Sequence, residues 1–202
     1  MRARPSGLVA FDLDGTLLRG PTVCEVLATL VGRVRETREF EAASTQLEVA
    51  AGRVAMARWY REVPMPTLLS SLESARWAPG VAPGVELLRR NGIEVAIASI
   101  TWRFAVRWFA EQLGVQWYLG TDLLEDGDVA HVWPEDKGRW LRSLASELLV
   151  PAERVAAVGD SRGDVDLLRA ASLRVFVGLA LPTDLANVQQ SVHGEPAWYR
   201  SR

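Results

Sequence analysis

The sequence has very few of the side chains that form disulfides and zinc sites. Its 202 residues include one cysteine, Cys24, and two histidines, His131 and His193. One cysteine excludes an internal disulfide and a cysteine-based zinc site, and two histidines argue against a histidine-rich metal centre. Because Cys24 falls in a helical pattern, we expect a small packed thiol there rather than a reactive one.

The sequence also lacks a long apolar run and an excess of either charge. No run reaches the roughly 20 apolar residues that span a membrane, and residues 1–7 are not followed by the apolar region of a signal peptide. The formal net charge is −2, and the basic residues are scattered among acidic ones. This pattern argues against nucleic acid or an anionic membrane as the main partner. We therefore expect a cytoplasmic globular protein.

Short apolar runs alternate with amphipathic helical patterns over much of the chain. The predicted strands are residues 8–11, 93–99, 115–119, 154–160 and 173–178. A hairpin is predicted within residues 123–132, turning at Asp126 and Gly127. Strands that alternate with helices indicate a parallel sheet covered on both faces. The predicted fold is α/β, with a Rossmann-like parallel sheet.

Residues 18–80 interrupt this alternation, because they contain no strand signal. Helical patterns cover residues 23–34, 47–60 and about 67–75. The polar stretch 35–44 separates the first two helices, and residues 77–84 are predicted to form a linker rich in proline and glycine. We expect residues 1–17 and 81–202 to form the core and residues 18–80 to form a small all-helical cap inserted after the first strand.

Polar side chains follow the predicted strands, at the edge where an open parallel sheet binds its ligands. They are Asp12, Asp14 and Thr16 after the first strand, Ser99 and Thr101 after the second, Lys137 at a helix start, and Asp160, Ser161 and Asp164 after a later strand. Oxygen ligands without nitrogen or sulfur favour Mg²⁺, whereas a serine, a lysine and a helix N-terminus suit phosphate. Metal, phosphate and a spare carboxylate together indicate phosphoryl transfer through an acyl-phosphate.

Asp, Gly and Thr are also ordinary residues of a solvated turn, which is the alternative interpretation of this stretch. The spacing of Asp12 and Asp14 supports phosphoryl transfer instead. Residues i and i+2 of an extended segment project to the same side. Both carboxylates can therefore face one phosphorus, one attacking it and the other handling the proton of the leaving group. Thr16 reads equally well as a turn hydroxyl, and we expect Thr101 to cap the following helix.

Four motifs occur in order: "DLDGT" at residues 12–16, "ASIT" at 98–101, "EDKGRW" at 135–140 and "VGDSRGDVD" at 158–166. In order and spacing they resemble the haloacid dehalogenase superfamily, and within it the phosphoserine phosphatase-like branch. The resemblance covers almost the whole chain, including a helical cap after the first motif. Each motif alone is weak, but a chance match of all four in order is very rare.

The resemblance implies roles for the four aspartates. Asp12 is expected to be the nucleophile, with its carboxylate also touching Mg²⁺. Asp14 is expected to give the metal its backbone carbonyl, while its side chain acts as general acid and then as general base. Asp160 is expected to bind the metal directly, and Asp164 to bind it through water or to anchor the site from behind.

The resemblance also implies the phosphate ligands. Ser99 and the backbone amide of Ile100 are expected to hold phosphate oxygens. Lys137 is expected to bind phosphate and to steady Asp12. The predicted activity is that of a Mg²⁺-dependent phosphatase acting on a small phosphorylated metabolite through an aspartyl-phosphate, because a closed cap excludes large substrates.

Two other functions use the same residues. A phosphotransferase would pass the phosphoryl group to a small acceptor alcohol, and the sequence does not separate it from a phosphatase. A signalling module would keep a phosphorylated aspartate without hydrolysing it. Asp14 argues against the signalling module, because a general base beside the acyl-phosphate speeds its hydrolysis.

The cap departs from the pattern of phosphoserine phosphatases, which grip the substrate with a glutamate soon after the first motif and an arginine on a cap helix. Those positions correspond to Pro21 and Met56 here, although Glu25, Arg53 or Arg58 could serve after a small register shift. We expect an apolar entrance lined by Leu17, Leu18, Val23 and Val26, with possible flat surfaces from Trp59, Tyr60 and Trp77. This composition predicts a substrate less charged than phosphoserine.

Overall fold

A computed structural model describes residues 4–124, 128–178, 183 and 190–191. The strands are β1 (Gly7–Phe11), β2 (Leu18–Arg19), β3 (Arg76–Trp77), β4 (Ile93–Trp102), β5 (Trp117–Leu123), β6 (Val129–Ala130), β7 (Val155–Gly159), β8 (Leu173–Phe176) and β9 (Gln190–Ser191). The α-helices are α1 (Val23–Val31), α2 (Val34–Glu41), α3 (Gln46–Arg61), α4 (Met65–Ser71), α5 (Val81–Arg90), α6 (Arg103–Gln112), α7 (Pro134–Glu147) and α8 (Val165–Arg169).

Within the described residues the main sheet has seven strands in the order β6-β5-β4-β1-β7-β8-β9. The pairs are parallel apart from β5 and β6, which run antiparallel. Phe11, the last residue of β1, pairs with Ile97 of β4 and with Val158 of β7. The predicted α/β fold with a Rossmann-like parallel sheet is confirmed, and its central strand ends where the first aspartates follow.

Apolar side chains of the central strand pack on both faces of the sheet. Leu8 belongs to one buried cluster, together with Leu141 and Leu168, and Val9 belongs to another, together with Phe109. Successive residues of a strand point to opposite faces, so one short strand joins both clusters. Each fully buried leucine of this kind contributes about 1.5–3 kcal/mol to folding.

Residues 18–80 form an inserted segment that packs on the sheet and contains α1 to α4. Leu27, Met56 and Tyr60 of this segment belong to the same buried cluster as Val9. The expectation that the segment holds no strand is wrong, because β2 and β3 pair antiparallel, with Leu18 opposite Trp77. Each strand has only two residues, too few for an alternating pattern to reveal it. The pair joins the two ends of the segment.

Two segments predicted as connectors are helical over half or more of their length. The polar stretch 35–44 lies mostly in α2, where Arg35 Nε contacts Glu39 Oε1 at 3.1 Å. The predicted linker at residues 77–84 overlaps the first turn of α5. Pro83 lies in this turn, where a backbone N–H has no partner within the helix, so proline does not interrupt it.

The arms of the predicted hairpin are present, with Asp122 of β5 opposite Ala130 of β6. Its predicted turn at Asp126 and Gly127 lies outside the described residues. The strand predicted at residues 115–119 instead spans Trp117–Leu123. Within the part of the chain that is described, no helix is both long and apolar enough to cross a membrane.

Candidate active site

The chain leaves β1 through a wide turn that carries the first motif. The backbone N–H of Asp12 donates to Val158 O at 2.9 Å, which extends the pairing of β1 with β7 by one residue. Gly15 then adopts a φ of 79°, and a Cβ atom at that position would overlap the Asp160 carboxylate. Only glycine allows this close approach, since it has no Cβ and adopts positive φ readily. The turn therefore brings the first motif against the loop after β7.

Lys137 connects the first and last motifs from the start of α7. Its ammonium donates to Asp12 Oδ1 at 2.6 Å and also to Asp164 Oδ1. The side chain is buried, with 1% of its surface exposed. Burial alone would lower the pKa of Lys137, but the two neighbouring carboxylates outweigh it and raise the pKa above its ordinary value. Lys137 therefore remains a buried cation.

Asp164 lies behind the cavity with both of its carboxylate oxygens engaged. Its Oδ1 accepts from Lys137, and its Oδ2 accepts the backbone N–H groups of Asp160 and Ser161, each at 3.1 Å. The Ser161 hydroxyl donates to the same Oδ2 at 3.0 Å. These contacts hold the loop after β7 in one conformation.

Three carboxylates converge in a way that fits a divalent cation. One oxygen each from Asp12, Asp160 and Asp164 lies within 4.8 Å of the others. Burial and the charge of Asp164 raise the pKa of Asp12 well above its ordinary value and that of Asp160 to about 6. Lys137 opposes the rise in the pKa of Asp12 only in part. The Thr16 hydroxyl, 3.4 Å from Asp160 Oδ1, likewise opposes the rise in the pKa of Asp160 only in part. An all-oxygen site with surplus negative charge suits Mg²⁺.

The Asp14 side chain points toward the inserted segment. Its Oδ1 accepts the backbone N–H of Val23, the first residue of α1, at 2.8 Å. Burial raises the pKa of Asp14 to about 7, although the bond from Val23 opposes this shift. A carboxyl group with this pKa can carry a proton near neutral pH and can also give it up.

The second motif forms the opposite side of the site at the end of β4. Ser99 is buried, and its Oγ accepts the backbone N–H of Thr101 at 3.2 Å. The prediction that Thr101 caps the following helix is wrong, because α6 begins after Trp102, which makes no side-chain cap bond. The Thr101 hydroxyl instead lies 3.5 Å from Cys24 Sγ. Burial raises the pKa of Cys24 to about 12, as expected of a packed thiol.

These side chains surround a cavity of about 650 Å³ between the sheet edge and the inserted segment. The predicted site residues that line it are Asp12, Asp14, Ser99, Ile100, Lys137 and Asp160. Asp164 is fully buried behind them. The structure thus brings together residues from four separate parts of the sequence.

The wall contributed by the inserted segment differs from the predicted one. Cys24, Phe40, Glu41, Arg53 and Met56 line it. The aromatic side chains proposed as flat surfaces pack elsewhere: Trp59 stacks on Phe40, Tyr60 contacts Trp102 edge-on, and Trp77 contacts Phe109 edge-on. The apolar residues predicted at the entrance are buried in the core instead, namely Leu17, Leu18, Val23 and Val26.

Glu41 and Thr121 are among the lining residues that no sequence motif indicated, and Arg53 was only one of several alternatives. The Thr22 hydroxyl donates to Glu41 Oε1 at 2.8 Å, and partial burial raises the pKa of Glu41. Arg53 is 6% exposed on the buried face of α3, which it shares with Met56. A charged residue on an otherwise apolar helix face is a signal that the sequence does carry.

Comparison with known proteins agrees with this geometry. A family model described as haloacid dehalogenase-like hydrolase matches residues 9–169, so the chain belongs to this family. The phosphoserine phosphatase SerB2 of Mycobacterium tuberculosis is 28% identical over 181 residues, covering 85% of this chain and 44% of that protein. The phosphoserine phosphatase of Albidiferax ferrireducens is 28% identical over 199 residues, covering 90% and 83%. The chain thus spans less than half of one of these relatives and most of the other.

The fold is similar to that of a solved phosphoserine phosphatase carrying a phospho-aspartyl intermediate analogue. The TM-score is 0.77 at 20% sequence identity, and the match covers 95% of each chain. At this identity the match shows the shared fold.

Proposed function

We propose that this chain is a Mg²⁺-dependent phosphatase that hydrolyses a small phosphomonoester through an aspartyl-phosphate on Asp12. The observation that carries the proposal is that Asp12 and Asp14 line one cavity while Lys137 holds Asp12 at 2.6 Å. The two relatives named phosphoserine phosphatases support the reaction class. The analogue in the similar solved structure supports the covalent intermediate.

The residues present fit the metal that the reaction requires. The carboxylates of Asp12 and Asp160 and the backbone carbonyl of Asp14 would hold Mg²⁺, and Asp164 would act through water or by anchoring the loop. The contacts that already occupy both Asp164 oxygens favour the anchoring role. Bound Mg²⁺ would offset the negative charge that phosphate and the aspartates bring together.

Phosphate would bind between the second motif and Lys137. The Thr101 N–H already donates to Ser99 Oγ, so the Ser99 hydroxyl hydrogen can point to a phosphate oxygen. The Ile100 amide and the Lys137 ammonium would supply the other donors. These groups also stabilise the negative charge on the transferring phosphoryl group.

In the first step a carboxylate oxygen of Asp12 forms a bond to phosphorus as the phosphorus–oxygen bond of the ester breaks. The leaving oxygen takes its proton from the Asp14 carboxyl group. The raised pKa of Asp14, about 7, supports a protonated starting state. The alcohol then departs, and Asp14 is left as a carboxylate.

In the second step Asp14 takes a proton from a water molecule as the water oxygen bonds to phosphorus. The bond between phosphorus and the Asp12 oxygen breaks, releasing inorganic phosphate and restoring both side chains. An acceptor alcohol in the place of this water would make the same site a phosphotransferase. A general base at this position argues against a long-lived phospho-aspartate of the signalling kind.

We propose that residues 18–80 act as a cap over a core formed by residues 1–17 and 81–202. The cavity of about 650 Å³ suits a small phosphorylated metabolite better than a phosphoprotein. A closed cap would also keep other water away from the intermediate. The single cysteine fits a reducing compartment, and we infer the cytoplasm.

The proposal is tested by release of inorganic phosphate from a panel of phosphorylated metabolites with Mg²⁺. Asp12→Asn should lose nearly all turnover, because an amide is a poor nucleophile toward phosphorus. The matched control is Asp166→Asn, the same substitution at a side chain 44% exposed in the last motif. More than a few per cent of wild-type turnover in Asp12→Asn would refute the assignment. Transfer to an added alcohol would favour the phosphotransferase.

A further inference from the structure

We propose that Arg53 is a positioning residue that joins the inserted segment to both phosphate-binding segments and so orders the phosphate site. The inference rests on the proposed function for the identity of those segments. It assigns Arg53 no direct contact with substrate.

The Arg53 guanidinium contacts the two segments at once. Its Nη2 donates to Ile100 O at 3.3 Å, directly after Ser99. Its Nη1 donates to Val132 O at 3.0 Å, shortly before α7 and Lys137. The guanidinium carbon also lies 4.9 Å from the centre of the Trp133 ring. One side chain of α3 therefore touches the backbone on both sides of the site.

Thr121 makes the corresponding connection from within the core. Its hydroxyl donates to Ile100 O at 2.8 Å and accepts the backbone N–H of Val132 at 3.1 Å. Arg53 and Thr121 thus connect the same two residues, one from the inserted segment and one from the sheet. Thr121 connects the two segments from within the core, and Arg53 adds a second connection from the inserted segment.

The contacts to Ile100 O act on the phosphate site through one peptide group. The carbonyl of this group belongs to Ile100, and its N–H belongs to Thr101 and donates to Ser99 Oγ. Holding the oxygen end of the peptide plane fixes the direction of the N–H end, because the peptide is planar. That N–H occupies one side of Ser99 Oγ, so the hydroxyl hydrogen is directed away from it. Arg53 therefore acts on Ser99 through the backbone.

The surroundings of Arg53 favour this role over that of a ligand for a substrate carboxylate. Among the residues that the structure describes, no carboxylate pairs with Arg53, and backbone carbonyls accept from its guanidinium instead. His131 Nδ1 lies 3.4 Å from Nη1, which adds a further polar neighbour. Two nitrogens of one guanidinium donate to two different backbone carbonyls, which uses the planar geometry that distinguishes arginine from lysine.

The test uses p-nitrophenyl phosphate, whose body carries neither a carboxylate nor an ammonium group. Arg53→Met keeps an apolar stem and removes both hydrogen bonds, and Arg53→Lys can restore only one. We expect Arg53→Met to lower kcat/KM about tenfold, as for loss of buried hydrogen bonds, with Arg53→Lys in between. The control is Arg58→Gln on the exposed face of the same helix, which should match wild type.

Calorimetric binding of inorganic phosphate with Mg²⁺ provides a second readout that a purely structural role would not change. The affinity for phosphate should fall in Arg53→Met. The double variant with Thr121→Val should lose more affinity than the two single variants lose in sum, since both residues donate to Ile100 O. Far-ultraviolet circular dichroism checks folding. If Arg53→Met does not fold, Arg53→Lys and Thr121→Val decide the question.

The inference is overturned if Arg53→Met leaves p-nitrophenyl phosphate turnover and phosphate affinity unchanged. A loss of turnover that is confined to phosphoserine would show that Arg53 binds the substrate, and this result would also overturn the inference. If the wild type hydrolyses no phosphomonoester, the proposed function fails. Phosphate binding then still decides the role of Arg53.

Discussion

Asp12 and Asp14 are two residues apart, yet their surroundings give them different chemical properties. Lys137 contacts Asp12 directly, whereas Asp14 accepts only a backbone N–H, from Val23, among its hydrogen bonds to the described residues. Burial and Asp164 raise the pKa of Asp12 and Lys137 opposes that rise, whereas only the Val23 hydrogen bond and a more distant Lys137 oppose the effect of burial on Asp14. Burial raises the pKa of both, and bound Mg²⁺ would lower that of the nucleophile most.

This difference predicts how Asp14→Asn behaves. Asn cannot donate a proton to the leaving oxygen, so alkyl phosphates should lose about a hundredfold to ten-thousandfold in kcat/KM, the usual contribution of general acid–base catalysis. Aryl phosphates have good leaving groups that need little protonation, and they should lose much less. The comparison of kcat/KM for the two classes isolates the phosphorylation step. Equal losses would contradict the role of Asp14 as general acid.

At the scale of elements, the inserted segment supplies one wall of the cavity. Met56 lines the wall, and Arg53, one helical turn earlier, donates to the carbonyls of Ile100 and Val132. Phe40 adds apolar surface, and Glu41 supplies a carboxylate at the cavity wall. A substrate carboxylate would bring a further negative charge beside Glu41, and the guanidinium of Arg53 on the same wall already donates to two backbone carbonyls.

We therefore expect phosphoserine to be a poorer substrate than neutral sugar or alcohol phosphates. A charged group that enters a closed site loses its hydration, and without a partner of opposite charge no interaction compensates for that cost. The measurement is kcat/KM for phosphoserine and for a panel of neutral phosphate esters at the same Mg²⁺ concentration. A preference for phosphoserine above tenfold would show that the cap does bind an amino acid.

The sequence predicted the elements that carry the site better than it predicted their contacts. The aspartates after β1 and β7 follow strong apolar strands and lie in recognisable motifs, so their place at the sheet edge was predictable. The bonds of Arg53 to Ile100 and Val132 span 47 and 79 residues, and no local pattern encodes them. The β2–β3 pair was missed because two-residue strands carry no periodicity.

At the scale of the whole molecule, the aspartates of the site repel one another in the folded protein, and a bound metal ion would offset this repulsion. Ligand binding stabilises the folded state by about 2.7 kcal/mol at a hundred times Kd, and a chain of this size gains about 2–4 °C in Tm per kcal/mol. Saturating Mg²⁺ should thus raise Tm by about 5–10 °C, and EDTA should reverse the rise.

Asp160→Asn separates the metal site from general stability. Burial and the charge of Asp164 raise the pKa of Asp160 to about 6, so its ionisation costs folding stability, and without metal this cost is present in full above that pH. Removing the charge should not lower Tm without metal, but it should abolish most of the rise with Mg²⁺. Asp166→Asn, the exposed control, should keep the rise. An equal rise in Asp160→Asn would remove Asp160 from the metal site.

The central claim is that the phosphoryl group passes through Asp12, and trapping the intermediate tests it most directly. Asp14→Asn should slow the second step and let the aspartyl-phosphate accumulate. Acid quenching followed by borohydride reduction converts an aspartyl-phosphate to homoserine, which peptide mass spectrometry can locate. The account predicts homoserine at position 12 after incubation with substrate and Mg²⁺, and none in Asp12→Asn. Homoserine at another carboxylate, or none during rapid turnover, would contradict it.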